Sequence, residues 1–262
     1  MRQIFLTVVG RARFFKAFGE ISNHFRIGIR IAQKMAMRTV LTGLQRRIER
    51  MRRRRKVGRA YDMALEIARV LPVGASVLDV GCGNGFIAHH LSSILKSRIV
   101  GLDVCGGPVA NIDYLPYDGR HFPVQDATFE AVLLCYVLHH AQDASLVLNE
   151  VIRVLKQRGI AIIYEDMPDR WPDRAACWLH NQQWAKRTGA CTFRSGTEWR
   201  QLFLSLGFEV VFERELSRWR NLAHPVSRRF FVLKIDGRDN IARQKSDAVR
   251  SDNRMIEESV AA

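Results

Sequence analysis

An α/β protein with a doubly wound, mostly parallel sheet is predicted by three observations. Short apolar strands alternate with helical stretches through the middle of the chain. The first of these strands runs into a turn, Gly81-Cys-Gly-Asn-Gly85, that opens straight into a helix. The first two strands each carry an acid near the carboxyl end, Asp79 and Asp103. In such a sheet ligands collect beyond the carboxyl ends of the strands, where the strand order reverses.

Each element has its own signal. Helical periodicity runs from about Val57 to Leu71 and includes Tyr61. Ser76 to Val80 is the first strand, Phe86 to Leu95 the helix after the glycine turn, and Arg98 to Asp103 the second strand. The third strand is confined to the stretch from Asp113 to Val124 and must be short, because prolines interrupt it and cannot donate to a ladder. Phe129 to Tyr136 is the fourth strand, Ser145 to Leu155 a helix, and Ile160 to Glu165 the fifth strand. Helices follow at Ala175 to Lys186 and Thr197 to Leu206. Gly207 to Glu213 and Arg229 to Lys234 form a closing antiparallel pair.

The glycine turn is a nucleotide-binding corner. Gly81, Gly83 and Gly85 permit backbone conformations and close approaches that a Cβ would block, and the helix start presents N–H groups to a ligand. Asp79, ahead of the turn, suits an ammonium better than a phosphate. Asp103 is placed to accept both hydroxyls of a ribose. A dinucleotide dehydrogenase would instead carry Gly-x-Gly-x-x-Gly, usually without an acid two residues before its first glycine.

These residues resemble the class I S-adenosylmethionine-dependent methyltransferases, in particular the small type 11 domains, whose first motif is an acid followed by Gly-x-Gly-x-Gly. The resemblance continues in order from about Tyr61 to Lys234. Tyr117-Asp-Gly119 is similar to the family's adenine-contacting acid. His121 to His140 resembles its approach to strand four with the trailing Leu-His-His, and Leu148 to Asp166 the helix, turn and strand that follow. Pro123-Val-Gln-Asp126 departs from the family's Pro-Phe-x-Asp wording. The resemblance implies a Rossmann-like sheet of seven strands with an antiparallel strand seven, and S-adenosyl-L-methionine as cofactor. It implies a cofactor shell of Asp79, Gly81, Gly83, Gly85, Asp103, Val104, Asp118, Gly119 and Cys135. In that shell Asp103 would hold the ribose and Asp118 the adenine amino group. Asp79, the Gly81 backbone and the Cys135 carbonyl would hold the methionine end. As plain structural features, Asp79 and Asp103 would be helix caps and Asp118 a turn acid before Gly119.

The acceptor is less legible. Methyl transfer from a sulfonium is an in-line displacement that positioning and desolvation alone can carry. His139 and His140 after strand four, and Glu165 with Asp166 after strand five, are the candidate bases, with structural packing as the other reading of the histidines. Trp178, His180 and Trp184 fall where the family builds an acceptor lid; core packing is their alternative. The Asn-Pro-Pro-Tyr type of motif used on base amino groups is absent, since Cys135-Tyr-Val-Leu-His stands in its place. The expected activity is methyl transfer to a small, apolar or membrane-derived metabolite. The alternatives are an RNA or protein methyltransferase, or a non-catalytic cofactor-binding protein.

The charge is unevenly placed. Residues 1–59 hold 17 lysines and arginines against Glu20 and Glu49, which accounts for the whole chain's net +15. Phe14, Phe18, Ile21, Phe25 and Ile29 recur at helical spacing, as do Leu41, Leu44, Ile48 and Met51, before the run Arg52 to Lys56. A basic amphipathic helical arm at 1–59 is expected, then a methyltransferase-like domain at 60–235 and a polar, disordered tail at 236–262. The arm suits an anionic membrane surface or a helical cap on the domain, and less readily nucleic acid or an organelle presequence. No apolar run approaches the ~18 residues that span a bilayer. Five scattered cysteines without metal-ligand spacing suit a reducing, cytoplasmic setting, with Cys82 and Cys135 as small fillers rather than nucleophiles.

Overall fold

The computed structural model describes residues 54–220 and 224–235, with residues 42, 45, 50 and 51. The chain divides into two compact units, Met1–Gly58 and Arg59–Ala262, and the second carries the fold. The readings that concern the basic arm and the polar tail lie almost wholly outside the described residues.

A seven-stranded sheet forms the centre, in the order β3-β2-β1-β4-β5-β7-β6. Strand β1 is Val77–Val80, β2 Ile99–Asp103, β3 Asp113–Pro116, β4 Phe129–Cys135, β5 Leu155–Met167, β6 Phe208–Leu216 and β7 Ser227–Ile235. The first five are parallel, and β7 runs antiparallel to both β5 and β6. Helix α1 contributes residues 59–68. The other helices are α2 Phe86–Leu95, α3 Ala144–Val154, α4 Trp171–Thr188 and α5 Gly196–Ser205.

The period-two alternation of the strands distributes the core to two faces. Leu78, Val80, Val132 and Leu134 pack against α3 and α5, where Val147, Leu148, Val151, Trp199 and Phe203 are buried. Val77, Ala131, Leu133 and Ile162 face the other way onto α1 and α2, through Ala64, Ile67, Ala88 and Leu91. Strand β1 is buried along its whole length, as a central parallel strand covered on both faces must be. The chain leaves β1 for β2 on one side and later returns to β4 on the other. The carboxyl ends of β1 and β4 therefore flank the switch point, where ligands collect in open α/β sheets.

Several boundaries differ from the sequence reading. Strand β5 starts at Leu155, which pairs with Phe129; the register then shifts, and Ala131 pairs with Ile160. The intervening residues 156–159, with Arg158 at φ 69°, make the irregularity that reads in sequence as a simple turn. The same strand continues to Met167, because β7 pairs with it through Asp166↔Arg228 and Met167↔Ser227. Helix α4 begins at Trp171, four residues before its expected start, with Pro172 in its first turn, where a missing N–H costs nothing. Helix α5 opens on Ser195, whose capping box with Glu198 is complete.

Candidate functional site

Asp79 is 1% exposed, and its Oδ2 has no hydrogen-bond partner among the described residues. Burial, with the nearby charge of Asp103 as the lesser cause, pushes its carboxyl up to about 7. A buried carboxylate in that condition is incomplete: it calls for a cationic partner or for a proton.

The turn that follows is made by backbone geometry. Gly81, Gly83 and Gly85 all have positive φ, at 69°, 54° and 74°, and Gly85 caps α2 without a side chain. A Cβ on Gly81 would lie 2.4 Å from Cγ2 of Val137, so the turn and the segment after β4 touch at this point. At the end of β2, Asp103 holds the turn from the other side: its Oδ2 accepts from Gly83 N at 2.7 Å and its Oδ1 from Cys105 N at 2.8 Å. Asp103 is thus no helix cap. It braces the glycine turn and still presents its outer lone pairs beyond β2.

The remaining shell residues are spread around this corner. Val104 is exposed, and its Cγ1 is the nearest atom, at 3.4 Å, to where a Cβ on Gly119 would stand. Asp118 accepts from Arg120 N and His121 N on one oxygen, Oδ1, which makes it a turn acid; those bonds hold its carboxyl below the usual range. Cys135 ends β4 at the switch point. Burial first, then Asp79 and Glu165, pushes its thiol well above the usual value, and burial pushes Cys82 up to about 12. Both are thiols, as small fillers would be, and not poised nucleophiles.

A second cluster lies past β4 and β5. A 3₁₀ turn, Leu138–His140, follows β4. Nδ1 of His139 is 2.6 Å from Oε2 of Glu165, and the other oxygen of Glu165 accepts from Leu138 N at 2.8 Å. Burial works against a charged His139, yet the Glu165 carboxylate outweighs it and its pKa is raised. Asp166 is held by Arg228 Nε at 2.9 Å and His224 Nε2 at 3.0 Å, and stays below the usual carboxylate range despite its burial. His140 is half-buried, with Nε2 3.3 Å from His180 Nε2 and Nδ1 3.3 Å from Cys191 Sγ. Burial, then the neighbouring histidines, lowers His140 to about 3 and His180 to about 4.

The four candidate bases therefore have three different sets of partners. His139 belongs with Glu165, Asp166 with Arg228 and His224, and His140 with His180 and Cys191. Trp184 comes to His140, with ring centroids 5.8 Å apart, whereas Trp178 is 61% exposed. Sequence reasoning missed Cys191, Phe193, His224 and Arg228. They come from the loop before α5, the segment before β7 and β7 itself, and no spacing links them to β4. Only the antiparallel register of β5 with β7 brings Arg228 opposite Asp166.

Residues 78–163 match the family of sequences described as "Methyltransferase domain". The chain is 31% identical over 117 residues to "Arginine-hydroxylase NDUFAF5, mitochondrial" of Danio rerio, covering 42% of this chain and 36% of the relative. It is 31% identical over 107 residues to the 2-phytyl-1,4-naphtoquinone methyltransferase of Thermosynechococcus vestitus, covering 36% of this chain and 48% of the relative. It is 34% identical over 107 residues to the ubiquinone/menaquinone biosynthesis C-methyltransferase UbiE of Desulfotalea psychrophila, covering 37% and 44%. The chain thus spans a third to a half of the length of these relatives. Among solved structures, the complex between the Haloferax volcanii Trm112 methyltransferase activator and a putative methyltransferase shares the fold. Its TM-score is 0.54 at 19% identity, over 68% of this chain and 89% of that one. A structure titled as the [4+2]-cyclase SpnF shares it with a TM-score of 0.52 at 18% identity, over 67% and 81%.

Proposed function

We propose that this chain, which carries a methyltransferase domain of the class I S-adenosylmethionine-dependent family, transfers a methyl group to a small, apolar or membrane-derived metabolite. The observation that carries the methyl-transfer reading is the pairing of a buried, unsatisfied Asp79 with a glycine turn braced by Asp103. The cofactor brings an ammonium, a ribose diol and a sulfonium-bound electrophilic methyl group to such a corner. Asp79 suits the ammonium, whose charge would convert its carboxyl to the ionised form. Asp103 suits the two ribose hydroxyls, and Asp118 offers its second oxygen to the adenine amino group. The close turn at Gly81 and the Cys135 carbonyl border the methionine end.

On the acceptor side the chain supplies shape more than proton transfer. A base whose conjugate acid has a pKa of about 3 or 4, as His140 and His180 have, is poorly matched to deprotonating a hydroxyl near neutrality. Asp166 is tied to a guanidinium, and Glu165 is engaged by Nδ1 of His139 and by Leu138 N. Positioning and exclusion of water are left as the means of rate enhancement. His140 and Trp184 supply part of a lining with both apolar and aromatic character. Relatives named as a naphthoquinone and a ubiquinone/menaquinone methyltransferase support an apolar acceptor. The shared stretch covers β1 to β5, the half of the fold that holds cofactor, so the acceptor must be found by experiment.

The basic arm suits an anionic membrane surface, where an apolar acceptor would be drawn. Each lysine or arginine near such a surface contributes ~1 kcal/mol. No described helix is long and apolar enough to cross a membrane. The relative named as mitochondrial is compatible with a less favoured reading of the arm, an organelle presequence. Transfer of labelled methyl from S-adenosylmethionine to cell extract, with lipid, RNA and protein separated, tests the proposal. Label in the lipid fraction is expected. Label in RNA or protein alone would replace the acceptor class, and cofactor binding with no label in any fraction would make the chain a non-catalytic binding protein.

A further inference from the structure

His139, His140 and His180 each offer one ring nitrogen as a ligand atom, and these atoms all lie within 4.8 Å of one another. We propose that the three imidazoles form a binding site for one divalent first-row transition ion of the zinc or cobalt type, with a fourth position open to water or an oxygen ligand. Three features of the side chains support the site.

The first is an unfilled acceptor. Nε2 of His139 is buried and has no hydrogen-bond partner among the described residues, in a residue that is 0% exposed. Its Nδ1, 2.6 Å from a Glu165 carboxylate oxygen, must carry the ring proton to donate to it. In the neutral ring the Nε2 lone pair is therefore unused by any hydrogen bond among the described residues.

The second is the anchoring of the rings. Metal-binding histidines nearly always donate their other N–H to a carboxylate or another acceptor, which fixes both tautomer and ring orientation. Glu165 does this for His139. Cys191 Sγ lies 3.3 Å from Nδ1 of His140 and supports the second ring from the side away from His180 Nε2, which is 3.3 Å from His140 Nε2. Phe193 stacks on His139 with ring centroids 4.7 Å apart and an angle of 18° between planes, holding that ring in place.

The third is the spacing. Two nitrogens each ~2.0–2.1 Å from a tetrahedral ion stand roughly 3.3–3.4 Å apart. His140 Nε2 and His180 Nε2 are 3.3 Å apart. An ion between them replaces a marginal imidazole–imidazole hydrogen bond with two strong ligand bonds.

Neutral imidazole suits zinc, cobalt, nickel, copper and iron, whereas magnesium and calcium take oxygen donors. The cluster follows Val137, which touches the Gly81 turn, so an ion here sits on the acceptor side of the cofactor corner. The site itself stands apart from the methyl-transfer reading.

The test uses the full-length protein, stripped with a chelator, desalted and titrated with Co2+ while its visible absorption is followed. One equivalent should produce the intense ligand-field bands of a four-coordinate site, and Zn2+ should abolish them. His140→Ala and His180→Ala should each weaken Co2+ binding at least ~10-fold, and Glu165→Gln ~10–100-fold without removing a ligand. His121→Ala, at an exposed histidine paired with Glu150, should leave binding unchanged. Since Glu165 and His139 are buried, the two half-buried variants carry the decision, each checked for native circular dichroism. Absence of ligand-field bands, or affinity unchanged in both His140→Ala and His180→Ala, overturns the proposal. Calorimetric titration of the same metal-free samples with S-adenosylmethionine keeps the two readings distinct. Cofactor binding without metal binding rejects the ion alone, and metal binding without cofactor binding rejects the methyl-transfer reading alone.

Discussion

Glu165 Oε2 and His139 Nδ1 stand 2.6 Å apart with at most 1% of either side chain exposed, which makes them one buried unit joining the ends of β4 and β5. Through its second oxygen Glu165 also satisfies Leu138 N, so it holds the whole 3₁₀ turn. Glu165→Ala should strand an imidazole and a backbone donor together and cost ~3–5 kcal/mol of stability. Glu165→Gln retains an acceptor for Leu138 N and should cost less. Urea unfolding of the two variants measures the difference; equal losses would show that the turn does not depend on this carboxylate.

Asp79 couples cofactor binding to pH. Its carboxyl sits at about 7 in the folded protein against an ordinary 3.8. The folded chain therefore holds an extra proton between those values, and stability falls as pH rises through that window. Asp79→Asn should raise the melting temperature of cofactor-free protein at about pH 8 and change it little at about pH 5. An incoming ammonium favours the ionised carboxyl, so affinity for S-adenosylmethionine should rise from about pH 6 to about pH 8 in the wild type and stay flat in Asp79→Asn. The same slope in both proteins would remove Asp79 from the ammonium role.

The glycines of the turn are not equivalent. An alanine at Gly81 meets Val137 Cγ2 at 2.4 Å, and a β-branched side chain has few rotamers with which to retreat. At Gly83 a Cβ has open space, and the cost is only that of the left-handed backbone, ~1–2 kcal/mol. Gly81→Ala should therefore lose cofactor affinity and stability by clearly more than Gly83→Ala, as calorimetry and denaturant unfolding would show. A reversed order would contradict the packing of Val137 under the turn.

Much of the cofactor half was legible because its signals are local. An acid, a glycine run and a helix start within ten residues place Asp79, the turn and α2 together, and Asp103 closes the next apolar strand. The acceptor half was legible only in fragments. His139 and Glu165 are 26 positions apart, and their contact depends on the β4–β5 register, which an irregularity at 156–159 shifts. His180, which the resemblance puts in the acceptor lid, and Cys191, which no signal points to, flank His140 from a helix and a loop. The early start of α4 was hidden by Pro172, which reads as a break inside a helix and as a welcome residue in its first turn. Asp118 shows both sides: the resemblance makes it an adenine contact, and its Oδ1 also makes the bonds of a turn acid before Gly119.

A chain beginning at Val57 should retain cofactor affinity and lose binding to anionic vesicles, since residues 1–59 hold the net charge and the cofactor residues lie beyond them. For the full chain, vesicle binding should fall as the Debye length shrinks from ~10 Å at 0.1 M salt to ~3 Å at 1 M. Vesicle sedimentation reads both. Undiminished binding by the shortened chain, or by the full chain in high salt, would reject an electrostatic arm.

The central claim is that the corner formed by Asp79, the glycine turn and Asp103 holds S-adenosylmethionine. Isothermal calorimetry of wild type and Asp103→Ala tests it most directly. Removing Asp103 takes away the acceptor for the ribose hydroxyls and for Gly83 N and Cys105 N together. The account predicts one molecule of cofactor per chain and a loss of at least ~1.5–3 kcal/mol in the variant, the worth of hydrogen bonds to a charged group. Equal affinity in the two proteins, or tighter binding of a nicotinamide dinucleotide by the wild type, would contradict it.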